Sequence, residues 1–558
     1  MGQLLTLHQP REAKVYYQMG LWQNYTLYSL VKIWANKKGD AFALRDSSRR
    51  VTWSEFKASI DQVSAELHSA GLVSGDRVSV WMSSRVEAAI VFLACSRNGY
   101  VFNTSLHRTY TGREVMVLLE RVSCRALFAE QTYGADSIDF DILSRAATLP
   151  SMRAVFGLPS RTGGQLQAAI RAFPNGGQSN QPPPITDPDK IVYLAFTSGT
   201  TGAPKAVMHS DNTLLANARA MIHDWGHSEK TVLLTLSQLS HHIGTVALSQ
   251  ALVGGFELVL SDPVTGINPV DWIIETGATY VMGVPTHAVD ILAALQARSL
   301  GKLGQVATFY MAGALIPTET ARKFLAMGIK PQNVYGMTEN GSHQYTLPTH
   351  DITAITETCG KCCAAYEIKL FHPEHSDVEV EQGEVGEIGG RGAMRMLGYF
   401  ANQEATESSF NASGWFMSGD LGCFDASGNM RIVGRTKDMI IRGGHNIHPA
   451  RIEDLTMKHP KVVKAAAVPV PDERLGEKVC LVVQPVDGKD IDSDQILSHL
   501  TTEGLSIYDM PEYFAILPAL PLGPTGKILK RELAERVKDG RLAITAIRWR
   551  GFSRESTS

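Results

Sequence analysis

Hydrophobic and polar residues near the start of the chain follow a repeating pattern that predicts alternating helices and strands. A Thr52-Trp-Ser-Glu55 capping box precedes apolar residues at helical spacing, namely Phe56, Ile60, Val63 and Leu67. Residues 77–82 have the composition of a strand, and 86–95 form an apolar run that predicts a buried helix. Such alternation predicts a parallel sheet covered by helices.

The alternation resumes after a connection rich in proline, glycine and asparagine that ends near residue 189. A helix is predicted at 318–327, and strand-like runs occur at 190–196, 231–236, 279–284 and 306–311. We therefore expect a second α/β layer.

A different pattern begins near residue 352, where short strand-like runs alternate with glycines. Runs at 366–371, 378–381 and 430–433 predict an antiparallel sheet or a small barrel. Beyond them lie a helix that begins with a proline, within 447–459, and strands at 462–470 and 478–483. The final stretch of roughly 110 residues is therefore predicted to be a separate α+β domain.

Composition narrows the class of protein. The 558 residues contain 53 Lys+Arg and 56 Asp+Glu, so the formal charge of −3 does not suggest a nucleic-acid partner. The longest apolar stretch, 246–260, is broken by two glycines and a glutamate, so we expect no stable membrane insertion. Met1-Gly2 matches an N-myristoylation pattern, and whether Gly2 is acylated stays open.

Cysteine usage indicates a reducing compartment. The chain has seven cysteines and opens without a charged-then-apolar signal segment, which favours a cytoplasmic protein. Cys359, Cys362 and Cys363 are close in sequence, but no second pair or histidine cluster completes a metal site. Buried thiols are the favoured interpretation.

The most informative stretch is the loop 197–205, which follows a predicted buried strand. It reads Thr-Ser-Gly-Thr-Thr-Gly-Ala-Pro-Lys. Glycines allow backbone N–H groups to approach phosphate oxygens, hydroxyls donate further hydrogen bonds, and the lysine supplies charge. The spacing differs from a Walker loop. An isolated cluster of this kind would be a surface turn, whereas the whole string predicts a phosphate-binding loop.

This string closely resembles the signature loop of the adenylate-forming superfamily, which comprises acyl-CoA synthetases, peptide-synthetase adenylation domains and luciferases. Ala206 is a departure, because the family usually has glycine there. The resemblance implies that ATP is bound by Thr197, Ser198, Gly199, Thr200, Thr201, Gly202 and Lys205. Thr200 is also a predicted Mg²⁺ contact.

A second motif, Tyr335-Gly336-Met337-Thr338-Glu339, follows another predicted strand. A carboxylate near a triphosphate would be repelled unless a cation lay between them, so Glu339 is a predicted Mg²⁺ ligand. The resemblance implies that Tyr335, Gly336 and Met337 lie by the nucleotide. It also implies that Thr338 contacts the α-phosphate as a catalytic residue. Upstream, Gly313 and Ala314 resemble the segment that lines the purine and acyl pocket.

Three further segments fit the same family order. Asp420 can accept two hydrogen bonds from a ribose, although Met417-Ser418 replaces the usual arginine-threonine pair. Arg435 can reach ribose or phosphate oxygens, and Lys437 occupies the family's hinge position. Gly443 and Gly444 resemble the glycine loop that lines the pantetheine tunnel, and so are predicted to bind CoA.

The catalytic lysine and the acyl pocket complete the set. Lys527 lies on a Pro/Gly turn and matches the lysine of the family's last motif. A cation presented there would stabilise charge that develops at the α-phosphate. His241, in Ser240-His-His-Ile-Gly244, resembles the catalytic histidine beside the carboxylate. The predicted acyl pocket comprises His241, Val284, Gly313 and Gly336.

The resemblance implies a large α/β N-terminal domain of two βαβ-type subdomains plus a small antiparallel β-barrel, followed by a smaller mobile α+β C-terminal domain. The predicted boundaries are 1–434, a hinge at 435–437, a C-terminal domain at 438–545 and a tail at 546–558. The implied enzyme is an ATP-dependent acyl-CoA ligase that uses ATP, Mg²⁺ and CoA.

Two alternatives remain open. The acyl group could pass to a carrier-protein phosphopantetheine, or the chain could be a non-catalytic nucleotide-binding homologue, as its departures at Ala206 and Met417-Ser418 suggest. The expected acid is aromatic, alicyclic or medium-chain, and a homodimer stays an open alternative.

Overall fold

The computed structural model describes residues 5–161, 163, 171–174, 181–197, 204–314, 316–443, 445–523 and 528–549. The described residues form two compact units. The first draws on residues 1–368, 390–416 and 427–430, and the second on 369–389, 417–426 and 431–558.

The elements up to residue 362 are, in chain order, α1 (Pro10–Gln18), α2 (Leu27–Lys38), β1 (Phe42–Arg45), β2 (Arg50–Thr52), α3 (Trp53–Ser69), β3 (Arg77–Trp81), α4 (Val86–Asn98), β4 (Val101–Asn103), α5 (Gly112–Arg121), β5 (Ala126–Glu130), α6 (Ile142–Ala146), β6 (Ala154–Leu158), β7 (Arg171–Ala172), β8 (Ile191–Thr197), β9 (Lys205–Ser210), α7 (Asp211–Trp225), β10 (Val232–Thr235), α8 (His242–Gly254), β11 (Glu257–Leu260), α9 (Pro269–Thr276), β12 (Tyr280–Gly283), α10 (Pro285–Ala297), β13 (Thr308–Ala312), α11 (Thr318–Ala326), β14 (Lys330–Met337), β15 (Gly341–Tyr345), α12 (Ile352–Glu357) and β16 (Lys361–Cys362).

The remaining elements are β17 (Tyr366–His372), β18 (His375–Glu379), β19 (Gly386–Gly392), α13 (Gln403–Glu407), β20 (Phe416–Phe424), β21 (Met430–Arg435), β22 (Ile440–Arg442), β23 (His445–Ile447), α14 (Pro449–Met457), β24 (Val462–Asp472), β25 (Gly476–Pro485), α15 (Ser493–Thr502), β26 (Tyr513–Ile516), α16 (Lys530–Lys538) and β27 (Thr545–Ala546).

Two mainly parallel sheets build the first unit. One has the strand order β7-β6-β5-β3-β4-β8-β9, and the other has the order β16-β15-β14-β13-β12-β10-β11-β1-β2. Antiparallel pairs lie toward one edge of each sheet: β9 pairs with β8, and β15 pairs with β14. These two edges carry Thr197 and Lys205, the described ends of the phosphate loop, and the 335–339 motif, so the edge geometry positions the candidate site.

Helices α7 and α8 pack between these sheets as buried elements. Ser210, the last residue of β9, caps α7 by accepting a hydrogen bond from the N–H of Thr213. Leu215 on α7 and Leu252 on α8 are fully buried in the main hydrophobic core. Burial of each such side chain contributes about 1.5–3 kcal/mol relative to exposure. The two helices therefore pack as buried, well-anchored elements next to β9.

The second unit contains most of the sheet β18-β17-β19-β20-β21 and the C-terminal sheet β23-β22-β25-β26-β27. In the C-terminal sheet, β24 forms a long antiparallel ladder with β25. Alternate residues of β24 enter different cores: Ala465 and Ala467 lie in one, and Ala466 and Val468 in the other. This period of two is the expected result of strand geometry.

The predicted fold class is confirmed, with a large N-terminal α/β region and a smaller C-terminal α+β region. Helix α3 begins at the predicted capping box, in which Thr52 and Glu55 bond reciprocally. Cys359 and Cys363 are buried free thiols, as predicted. None of the described helices is both long and apolar enough to cross a membrane. The exact domain boundaries stay a prediction.

Candidate active site

The two ends of the phosphate loop lie side by side. Thr197 at the end of β8 pairs in register with Lys205 at the start of β9. The hydroxyl oxygen of Thr197 lies 3.5 Å from the carbonyl oxygen of Lys205 and 3.5 Å from Oε1 of Glu339. The antiparallel pair therefore brings the first motif to the carboxylate of the second, although the two are far apart in sequence.

Tyr399 connects the cation and the carboxylate of this site. Its hydroxyl donates to Oε1 of Glu339 at 3.0 Å, and the ammonium of Lys205 lies 4.7 Å from the centre of its ring. A bridge between Val207 and Tyr399 holds the tyrosine beside β9. Burial raises the pKa of Glu339, while the hydroxyl of Tyr399 and the charge of Lys205 oppose that rise. A carboxylate in this setting has a strong demand for a positive partner.

The surroundings of Glu339 fit the Mg²⁺ that accompanies ATP. This ion takes most of its ligands from phosphate oxygens and water and needs only one or two protein carboxylates. Glu339 is 9% exposed, and the two hydroxyls that contact it both approach Oε1. Thr200, the other predicted metal contact, lies outside the described residues.

His209 on β9 fixes the backbone of the second motif, a role that the sequence did not reveal. Its Nε2 lies 2.6 Å from the carbonyl oxygen of Thr338, and its Nδ1 lies 3.0 Å from the hydroxyl of Thr213. Because a carbonyl can only accept, Nε2 must carry the proton. Burial lowers the pKa of His209 to about 4, so the ring is neutral at pH 7. The available signal in the sequence was a polar residue directly after the apolar run Ala206-Val-Met208.

The rest of the 335–339 motif follows a tight backbone path. A Cβ atom at Gly336 would lie only 1.9 Å from the carbonyl oxygen of Gly341, so the close strand approach requires glycine. The N–H of Met337 donates to Oδ1 of Asn340 at 3.1 Å. The ring of Tyr335 meets that of His343 edge to face, with 5.4 Å between centroids.

Gly313 and Ala314 follow the end of β13 and are exposed. Gly313 has φ of +93°, a left-handed conformation that favours glycine. Val284 precedes α10, and its N–H donates to Nδ1 of His287 at 3.3 Å. These two turns therefore leave the ends of neighbouring strands, β12 and β13, where α/β proteins often bind ligands.

His241 belongs to a stacked pair of imidazoles. It is the N-cap residue of α8, and its ring lies 4.3 Å from that of His107, with 19° between the planes. Nδ1 of His107 lies 3.3 Å from the hydroxyl of Ser240. Burial lowers the pKa of His241 to about 4 and that of His107 to about 3. The pair is therefore an uncharged, hydrogen-bonding surface at pH 7.

The predicted ribose and hinge residues belong to the second unit. Asp420 on β20 is buried, and its Oδ1 accepts from Nε of Arg435 at 2.8 Å. Lys437 lies in the short 3-10 turn Thr436–Asp438, directly after β21. Gly443, between β22 and β23, has φ of +59°. The structure thus pairs the predicted ribose-binding carboxylate of Asp420 with the guanidinium of Arg435.

Several predicted residues lie outside the described part of the chain: Ser198, Gly199, Thr200, Thr201, Gly202, Gly444 and Lys527. Among the described ones, the first unit brings together Thr197, Lys205, Thr338 and Glu339, with Tyr399 and His209 as unpredicted members.

Comparison with known proteins gives two family matches. Residues 31–400 match the model of AMP-binding enzymes, and residues 451–527 match the C-terminal domain of AMP-binding enzymes. The chain is similar to the medium-chain fatty-acid–CoA ligase of Escherichia coli K12, at 27% identity over 94% of this chain and 93% of the relative.

It is also similar to the mitochondrial medium-chain acyl-CoA ligase ACSF2 of Danio rerio, at 30% identity over 88% of this chain and 84% of the relative. Among solved structures, ATP-bound MatB from Rhodopseudomonas palustris has a TM-score of 0.79 and 27% identity, covering 92% of this chain and 99% of that one. Thr197 of the first motif contacts Glu339 of the second, and the model of AMP-binding enzymes spans both motifs. The chain therefore belongs to the AMP-binding enzyme family, in agreement with its resemblance to the adenylate-forming superfamily.

Proposed function

We propose that this enzyme is an ATP-dependent acyl-CoA ligase, an acid-thiol ligase that makes an acyl-AMP and then transfers the acyl group to CoA. The observation that carries the proposal is the convergence of Thr197 and Lys205 with Glu339 and Tyr399. One ammonium and one buried carboxylate, held apart by an aromatic ring, suit a polyphosphate and its cation. Relatives named as CoA ligases over nearly their whole length support the same function.

In the first step, a carboxylate oxygen of the acid attacks the α-phosphorus of ATP. An acyl–oxygen–phosphorus link forms, the bond between the α-phosphorus and the bridging oxygen breaks, and pyrophosphate leaves with the electron pair. Lys205 and the loop before it would hold the leaving phosphates, and Thr338 would contact the α-phosphate. Lys527 would stabilise the charge that develops at the reacting oxygens.

Mg²⁺ is expected to enter as part of Mg·ATP, where it would neutralise phosphate charge beside Glu339. Asp420 would accept hydrogen bonds from the ribose hydroxyls, and Arg435 would contact ribose or phosphate oxygens.

In the second step, the thiol of CoA loses its proton and attacks the acyl carbon, and AMP leaves. For this step we propose that the C-terminal domain turns about Lys437, which removes Lys527 and brings in Gly443 and Gly444 to line the pantetheine path. The two half-reactions would then use the same active site, which is lined by different residues of the C-terminal domain in each step.

The acid is proposed to be aromatic, alicyclic or medium-chain, and the compartment cytoplasmic. The medium-chain names of the Escherichia coli and Danio rerio relatives support a carboxylic acid of intermediate size. The seven cysteines, all free where the structure describes them, are compatible with a reducing compartment.

The role of Lys527 is tested by measuring the two half-reactions separately. Lys527→Ala should nearly abolish acyl-AMP formation and leave thioester formation from supplied acyl-AMP close to that of the wild type. Arg531→Ala is the control, because this nearby cation is 75% exposed and pairs with Glu535. Equal loss of both half-reactions in Lys527→Ala would refute the assigned role.

The acceptor is tested by offering free CoA and a pantetheinylated carrier protein to the same acyl-AMP. We expect rapid thioester formation with free CoA. A reaction confined to the carrier protein would replace the CoA ligase with an acyl-AMP ligase that loads carriers.

A further inference from the structure

A short segment, residues 396–400, runs beside β9 and reaches both halves of the candidate site. The N–H of Met396 donates to the carbonyl oxygen of Glu339 at 2.6 Å. At the other end of the segment, the N–H of Phe400 donates to the carbonyl oxygen of Ala206 at 2.7 Å. Backbone hydrogen bonds therefore attach this segment to the carboxylate motif and to the strand that follows the phosphate loop.

Tyr399 is the residue of this segment whose side chain meets both charged groups of the site. It is 6% exposed, and its N–H donates to the hydroxyl of Thr406 at 2.9 Å. Its hydroxyl bonds the carboxylate of Glu339, and its ring faces the ammonium of Lys205. The backbone contacts of the segment therefore fix the position from which the hydroxyl and the ring act.

Lys205 and Glu339 carry opposite charges and lie close enough for the lysine to act on the carboxyl group. The two side chains nevertheless form no direct ion pair in the part of the chain that the structure describes. A direct pair would neutralise both groups, and the nucleotide and its cation would have to break it. Tyr399 offers each charge another partner, namely a ring face for the ammonium and a hydroxyl for the carboxylate.

The hydroxyl of Tyr399 engages only one of the two carboxylate oxygens. It bonds Oε1 of Glu339, and the hydroxyl of Thr197 approaches the same oxygen. Among the contacts of the described residues, none involves Oε2. One carboxylate oxygen is enough for Mg²⁺, which takes its other ligands from phosphates and water. The arrangement therefore holds one oxygen in place and leaves the other for a cation.

We propose that Tyr399 is a positioning residue for Mg·ATP, which keeps the ammonium of Lys205 and the carboxylate of Glu339 apart so that each can meet its own part of the nucleotide. The inference rests on the proposed function and adds a residue to its machinery. The hydroxyl fixes Oε1 and leaves Oε2 for the metal ion, whereas the ring supports the ammonium that would contact the phosphates.

The test measures nucleotide binding by calorimetry in the absence of any acid, once with Mg²⁺ and once with EDTA. Tyr399→Phe removes the hydroxyl and keeps the ring. We expect its Kd for Mg·ATP to rise about tenfold or more and its Kd for metal-free ATP to stay within about twofold of the wild type. Tyr399→Leu also removes the ring, so the ammonium can pair with Glu339. Its Kd for metal-free ATP should therefore rise as well, by about fivefold or more.

Two further variants show whether the effect comes from this contact. Tyr28→Phe is the matched control, because this buried hydroxyl also donates to a carboxylate, that of Asp61 at 2.7 Å, elsewhere in the first unit. It should leave both Kd values unchanged. In a Glu339→Gln background, Tyr399→Phe should change the Kd for Mg·ATP by less than about twofold, because the carboxylate that the hydroxyl holds is gone. If Tyr399→Leu fails to fold, Tyr399→Phe and this double variant decide the outcome.

Equal weakening of Mg·ATP and metal-free ATP in Tyr399→Phe would overturn the inference, because a merely structural role would produce it. Additive losses in the double variant, or wild-type affinities in Tyr399→Phe, would overturn it too.

Calorimetry needs no turnover, which separates this inference from the proposed function. Binding of Mg·ATP that depends on Tyr399, in a protein that forms no AMP with any acid, would support the inference and contradict the ligase. Acid-dependent formation of AMP, combined with a wild-type affinity of Tyr399→Phe for Mg·ATP, would do the reverse. Failure of the wild type to bind Mg·ATP would overturn both.

Discussion

Substitution of His209 by leucine tests the claim that a neutral imidazole holds the α-phosphate motif in place. The change removes the 2.6 Å hydrogen bond to the carbonyl oxygen of Thr338 and leaves that buried acceptor without its donor. An unsatisfied buried group costs about 1–3 kcal/mol. If the motif moves to recover a partner, this energy corresponds to a loss of roughly 5- to 150-fold in kcat/KM for ATP.

The assay measures kcat and KM for ATP separately by acid-dependent pyrophosphate release, together with unfolding in urea. His209→Gln keeps an N–H donor at a similar reach, so it should recover most of the lost activity. His227→Leu is the control, because His227 is also a buried, neutral imidazole but stacks on Tyr280 at 4.1 Å. Activity of His209→Leu within about twofold of His209→Gln at equal stability would refute the reasoning.

Three further substitutions test the roles of individual residues. Asp420→Ala should lower kcat/KM for ATP by about tenfold and remove the enzyme's discrimination against 2′-deoxy-ATP; retained discrimination would contradict the ribose role. Gly336→Ala, with its Cβ 1.9 Å from the carbonyl oxygen of Gly341, should lower the Tm and activity, whereas Gly301→Ala, which meets nothing within 4 Å, should change neither. Burial lowers the pKa of His227 to about 4, so the unfolded state binds its proton first and stability should fall as pH drops from about 6.5 toward 4. In urea titrations His227→Leu should reduce the slope of unfolding free energy against pH by up to about 1.4 kcal/mol per pH unit. An unchanged slope would show that the ring is not held neutral.

Local patterns gave the elements of the fold because they reflect local energetics. The capping box at Thr52 predicted the start of α3, and the proline at Pro449 is the first residue of α14. Helical spacing and strand-like runs predicted the buried faces, since these patterns decide which side chains can leave water together. Boundaries shifted by a few residues, as in β24, which continues to Asp472.

The candidate site was partly predictable for a different reason. Thr197, Lys205 and Glu339 belong to sequence motifs whose chemistry can be inferred from each motif alone. The order of these motifs, which matches the family, implied that the three residues meet. Tyr399 and His209 belong to no such motif. Their roles depend on which strand edge lies beside them, and that is decided by tertiary packing rather than by neighbours in sequence.

The nucleotide product tests the central claim most directly. The purified protein is incubated with ATP, Mg²⁺ and a broad library of carboxylic acids, and the nucleotides are separated by chromatography. We expect acid-dependent formation of AMP and pyrophosphate. Acid-dependent conversion of ATP to ADP and phosphate, without AMP, would contradict it.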